Sequence, residues 1–138
     1  MLRITVLKKS FHEPGGGRLP VLDIPEFHLD EAEQAVLLGR SGCGKTTLLH
    51  VIAGISTPDS GQVVIDGVDI ARLGEAERDR VRAEKVGYIF QTFNLLPGFT
   101  ALENVMLGMT FARGRRDEGR ARDLLGRVGL GQGNPHEF

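Results

Sequence analysis

A single cysteine, Cys43, leaves this 138-residue sequence unable to form an internal disulfide, which fits a reducing compartment. Charge of one sign is not in surplus either: 17 basic side chains against 18 acidic ones give a net charge of −1. No overall field therefore draws the chain to nucleic acid or to an anionic membrane, and no nucleic-acid partner is expected. No apolar run approaches the roughly 18 to 20 residues that a membrane-spanning helix needs. The opening MLRITVLKK lacks the long apolar core of a secretory signal. Any work at a membrane would be done by docking onto another component. Internal repeats, low-complexity tracts and long charge blocks are missing as well. What remains, 41% hydrophobic and 25% charged residues, is the balance of one folded domain of ordinary size. Glycine, at 19 residues, exceeds the background of about 7% and points to many unusual turns.

Leu2, Ile4 and Val6 alternate with Arg3 and Thr5, the pattern of a strand with one apolar face, and Leu19 to Ile24 resumes it after the Pro14–Gly17 loop. Ala35-Val36-Leu37-Leu38 is a short uninterrupted apolar run, expected to be a strand buried on both faces. Thr46 to Gly54 carries helical apolar spacing at Leu48, Leu49, Ile52 and Ala53. Gln62–Ile65 and Val68–Ile70 flank Asp66-Gly67, a two-residue hairpin signal. A charged helix is expected over Glu75 to Glu84, and Val86–Phe90 is expected to be another core strand ending at Gln91. Thr100 and Glu103 form a capping box for a helix running to about Ala112. Ala121, Leu124, Leu125 and Val128 give one buried stripe on a last helix, and Gly129–Phe138 reads as a loop.

Residues 39–46 read Gly-Arg-Ser-Gly-Cys-Gly-Lys-Thr, a complete G-x-x-x-x-G-K-[ST] motif between an apolar run and a helix. Main-chain amides can wrap a phosphate only where no Cβ intervenes, hence Gly39, Gly42 and Gly44. The N-terminus of the following helix turns unpaired donors and a partial positive charge toward the same anion. Lys45 adds a full charge for the β and γ phosphates, and the Thr46 hydroxyl is suited to Mg²⁺. Arg40, Ser41, Cys43 and Thr47 complete the cradle expected around ATP. Cys43 reads as a small filler whose alkylation would crowd the phosphates. Val63-Val64-Ile65-Asp66 mimics the apolar-run-plus-Asp of a Walker B strand, but it lacks the following Glu, and the hairpin explains it better. The arginines from Arg113 to Arg127 alternate with Asp117, Glu118 and Asp123, so they read as a solvated face. His136 reads as an ordinary loop histidine.

A phosphate loop alone leaves GTPases, kinases, helicases and transporters open. Ser41–Leu49, then Ile52-Ala53-Gly54, Pro58-Asp59-Ser60-Gly61 and Asp66-Gly67, closely resembles the opening of ABC-type ATPases. Val86-Gly87-Tyr88-Ile89-Phe90-Gln91, with Asn94-Leu95-Leu96-Pro97 and Thr100–Val105, is similar to that family's Q-loop and the start of its helical subdomain. Leu48-Leu49-His50 and Asn94–Pro97 look most like the lipoprotein-release and macrolide-export group.

The resemblance implies an α/β P-loop NTPase fold with an antiparallel β subdomain. Residues 1–91 would form the nucleotide-binding core, and 92–138 the Q-loop and a partial helical subdomain. It implies that Gln91 reaches toward Mg²⁺ and the attacking water, although by itself Gln91 reads as a polar residue ending a strand. It places Phe11 where the family stacks an aromatic on adenine, although by itself Phe11 reads equally well as a core residue at a strand end. The partners it implies are a transmembrane permease, met through the helix near Thr100, and a second ATP-binding subunit. The location it implies is the cytoplasmic face of the membrane. Members of the family continue with a Ser-Gly-Gly-Gln signature, an Asp-Glu pair and a switch histidine. Pro135–Phe138 looks like the residues just before that signature, so the chain is expected to be an N-terminal part, with weak MgATP binding and no turnover. A short nucleotide-binding module that regulates without hydrolysis is the alternative.

Overall fold

The computed structural model describes residues 1–111 and 116–131. The chain divides into two compact units, Met1–Val86 and Gly87–Phe138. In the first unit, β1 (Leu2–His12), β2 (Arg18–Leu29), β3 (Ser60–Ile65) and β4 (Val68–Asp69) form one antiparallel sheet in the order β2-β1-β3-β4. Helix α1 (Lys45–Ile52) and helix α2 (Glu75–Lys85) belong to the same unit. β2 runs to Leu29, five residues past its sequence-based end, and tolerates Pro20 and Pro25 because an edge strand does not need every amide.

The core is built from Ile4, Leu7, Leu22, Val51, Val63 and Ile70, with Leu48 and Ile52 of α1 packed against it. Two details differ from the periodicity. Val6 does not continue the buried alternation of Leu2 and Ile4: it is 55% exposed, and Leu7 is buried instead. The cause is a bulge. The β1–β3 register shifts by one residue between Thr5 and Lys8, Val6 takes a φ of +47°, and the inward-facing set is reset beyond it. Gly61 makes this possible, since a Cβ there would lie 2.3 Å from the Val6 carbonyl oxygen. On α1, Val51 is buried where the apolar spacing favoured Leu49, which is exposed.

Two expected strands do not form. Residues 34–38 and 86–90 carry no ladder hydrogen bonds, and Val36, Leu38 and Ile89 are 84%, 85% and 96% exposed. An apolar run becomes a buried strand only when ladder neighbours take its amides and cover both faces, and no strand among the described residues pairs with either run. The hairpin at Asp66-Gly67 does form, with positive φ at both residues and Ile65 paired to Val68, the geometry of a type I′ turn. Asp66 thus belongs to a tight turn. Its Oδ1 accepts from the Met1 ammonium at 2.9 Å and its Oδ2 from Lys85 Nζ at 3.1 Å, which hold the carboxyl below the usual aspartate range.

In the second unit, α3 (Ala101–Phe111) packs against α4 (Glu118–Arg127). The capping box is present: Glu103 Oε2 accepts from the Thr100 amide at 2.7 Å, and Thr100 Oγ1 accepts from the Glu103 amide at 3.2 Å. The Thr100 amide above all, and the Thr100 hydroxyl, which donates to Glu103 Oε2 at 2.9 Å, lower the Glu103 pKa. Ala121 and Leu125 bury the face of α4, while Val128, at its C-cap, is exposed. Gly129, with φ of +82°, closes the helix: its amide donates to Gly126 and the Leu130 amide to Leu125.

Candidate functional site

Helix α1 starts at Lys45 with Gly44 as N-cap in the left-handed region, without a side-chain cap and without an acidic residue in its first turn. The amides of Gly42, Gly44, Lys45 and Thr46 meet no acceptor among the described residues. Such a helix start concentrates donors and partial positive charge, so an anion is what it suits. A lysine at this end opposes the helix dipole. The loop compensates it: Lys45 Nζ donates to the carbonyls of Gly39 at 2.8 Å and Arg40 at 2.7 Å, with Cys43 Sγ at 3.8 Å. The ammonium is thereby folded into its own loop beside the free amides.

The three glycines act differently. Gly42, with φ of +80°, has open space where a Cβ would be, so its need is conformational. Gly44 combines φ of +92° with close approach: a Cβ would lie 2.9 Å from the Val21 carbonyl oxygen and 3.1 Å from Leu22 Cδ2. It is the point where the loop rests on β2, where the β1–β2 register slips and leaves Val21 without a partner in that ladder. At Gly39 a Cβ would meet Cys43 Sγ at 2.6 Å, so that side chain closes over the turn. Arg40, Ser41, Cys43 and Thr46 are exposed, and Thr47 is half-buried.

A triphosphate fits this cradle on its free amides and its ammonium. Among the described residues there is no cluster of three or more His, Cys, Asp or Glu side chains. The Thr46 hydroxyl is exposed beside the amides and the ammonium.

Phe11 lies near the end of β1, paired with Leu19, and is 45% exposed. The core-residue reading therefore fails, and the ring is available to a ligand. Lys9 Nζ stands 5.2 Å from its centroid. Gln91 lies in a bend of the second unit, exposed, after Tyr88 and Phe90, whose rings are 4.6 Å apart. The sequence reading missed the group that anchors this end of the sheet. Asp59 Oδ2 accepts from the Ser10 hydroxyl at 2.5 Å and the Ser10 amide at 2.7 Å, and the Asp59 amide donates to the Lys8 carbonyl at 2.8 Å. The Ser10 hydroxyl above all lowers the Asp59 pKa; partial desolvation opposes it, and the Ser10 amide, Lys9 and Arg18 add to the lowering. Pro58-Asp59-Ser60-Gly61 is thus a clasp that fastens the start of β3 to the bulged part of β1. No local pattern signals it, because the contact joins residues 49 positions apart. Asn94–Pro97 has a similar local cause: Asn104 of α3 accepts from the Leu96 amide at 2.9 Å and donates to the carbonyls of Phe99 and Thr100. Pro135–Phe138 and Arg113 lie outside the described residues.

Comparison with known proteins agrees with this geometry. A family model described as "ABC transporter" matches residues 22–138. The lipoprotein-releasing system ATP-binding protein LolD of Cereibacter sphaeroides is 43% identical over 99% of this chain and 62% of its own length. LolD of Syntrophotalea carbinolica is 43% identical over 94% of this chain and 58% of its own length. Among solved structures, the dimeric post-hydrolysis ATP-binding cassette MJ0796, bound to ADP and Pi, superposes with a TM-score of 0.89 at 31% identity. That match covers 99% of this chain and 61% of the cassette. The chain therefore spans less than two thirds of the length of these relatives, and the expected likeness to the lipoprotein-release group is met by them.

Proposed function

Because this chain belongs to the ABC transporter family, we propose that its Gly39–Thr47 loop grips the triphosphate of ATP, and that the complete subunit uses ATP hydrolysis to drive a substrate through a separate membrane permease. The observation that carries the reading is the uncapped start of α1, with the Lys45 ammonium held at 2.7–2.8 Å by two loop carbonyls. Lys45 serves as counter-charge to the β and γ phosphates, and the amides of Gly42 and of residues 44–47 donate to their oxygens. Thr46 supplies one oxygen to Mg²⁺, an ion that neutralises phosphate charge when bound. Gln91 is assigned the orientation of the attacking water and a share in holding Mg²⁺; Phe11 is assigned the adenine ring.

In the complete subunit a second ATP-binding subunit pairs with this one, a reading supported by the dimeric state named for the cassette MJ0796. The permease is met through α3. No helix among the described residues is long and apolar enough to cross a membrane; attachment to the cytoplasmic face of the membrane through that permease is part of the same reading. The 138 residues alone bind MgATP weakly and do not turn it over.

Calorimetric titration of this chain with MgATP and with AMP tests the reading. ATP binding is expected, AMP binding is expected to be far weaker, and Lys45→Ala should weaken ATP at least about tenfold, since hydrogen bonds to charged groups contribute about 1.5–3 kcal/mol each. Equal affinity for ATP in the folded Lys45→Ala variant would contradict it. Robust phosphate release by the 138-residue chain would contradict the claim of no turnover.

A further inference from the structure

We propose that Lys9 is a base-positioning residue, tethered by Asp59 so that its ammonium sits over Phe11 and tunes that ring for a nucleobase. Lys9 and Phe11 share a face of β1, with Nζ 5.2 Å from the ring centroid. The side chain of Lys9 is only 14% exposed, low for a lysine, and its Nζ lies 3.8 Å from Asp59 Oδ1. The other oxygen of Asp59 is committed to the Ser10 amide and hydroxyl. The carboxylate is thus fixed to the residue between Lys9 and Phe11, and it pins the ammonium where the strand puts the ring. A cation held over an aromatic ring draws its π density to that side. Repulsion between the ring's remaining exposed surface and the π cloud of a stacked purine then falls. Because Asp59 neutralises Lys9, the ammonium does not act as a free phosphate ligand, and its influence is confined to the base.

This rests on the reading that Phe11 receives the base of ATP and the loop at 39–47 its phosphates. Inorganic tripolyphosphate, which has no base, separates the two. Affinities of the full 138-residue chain for ATP and for tripolyphosphate are to be measured for the wild type, Lys9→Ala, Lys9→Arg, Phe11→Ala and the Lys9→Ala/Phe11→Ala double variant. Lys9→Ala is expected to weaken ATP measurably, by no more than the roughly two- to fivefold that a whole exposed cation–π pair represents, and to leave tripolyphosphate unchanged. Lys9→Arg should restore ATP binding. Phe11→Ala should weaken ATP about five- to 150-fold, the range of base–aromatic stacking, and adding Lys9→Ala to it should change nothing more. The proposal is overturned if Lys9→Ala binds ATP like the wild type, if it loses tripolyphosphate to the same degree, or if its loss persists without the Phe11 ring. Tripolyphosphate binding with no effect of Phe11→Ala on ATP removes the base site and the proposal, yet spares the phosphate cradle. A wild type that binds neither ligand removes all three.

Discussion

At Gly44 two constraints coincide, a φ of +92° and a Cβ position 2.9 Å from the Val21 carbonyl, whereas Gly42 carries only a φ of +80°. Gly42→Ala is therefore expected to cost about 1–2 kcal/mol, the penalty of a left-handed L-residue. Gly44→Ala should add about 1–3 kcal/mol for forced displacement of β2. Urea denaturation of the two variants checks the ranking, and equal destabilisation would contradict it. Asp59 supports a prediction in pH. Its folded-state pKa is lowered, chiefly by the Ser10 hydroxyl, so its contribution is present above the ordinary aspartate range and is lost as pH falls through the folded value. Wild-type stability should fall more steeply in acid than that of Asp59→Asn, with the curves converging once the carboxyl is protonated; parallel curves would contradict this. The sequence made the glycines, Lys45 and Thr46 legible because a phosphate cradle constrains composition at fixed spacing. It left the Asp59–Ser10 clasp hidden, because that contact joins residues 49 positions apart.

The elements that sequence periodicity placed well are those stabilised by local bonds: the hairpin at Asp66-Gly67, the capped start of α3 and the charged α2, which runs one residue past its sequence-based end. Those it misplaced depend on distant partners. The bulge at Val6 requires Gly61 from another strand, and the apolar runs at 34–38 and 86–90 are strands only when flanked. Hydrogen exchange of this chain should reflect the difference. Amides of residues 35–38, Ile89 and Phe90 should exchange orders of magnitude faster than those of β1 at Ile4 and Thr5, which lie between β2 and β3. Comparable protection in both runs would mean that a ladder partner is present.

For the molecule as a whole, the same two runs determine solution behaviour. Val36 and Leu38 in the first unit, and Ile89 and Phe93 in the second, expose large apolar side chains. The chain should bind the dye ANS in native buffer, and Val36→Thr with Leu38→Thr should reduce that fluorescence while leaving the β1–β2–β3 core intact. The family was legible because its motifs recur in order along most of the chain. The claim underlying the rest is that main-chain amides at the start of α1 hold a triphosphate. Amide-resolved NMR titration with MgATP tests it most directly. Resonances of Gly42, Gly44, Lys45, Thr46 and Thr47 should shift together and saturate at one affinity while Asp66 and Gly67 stay still. Bound ATP that leaves those five amides unmoved would contradict the account.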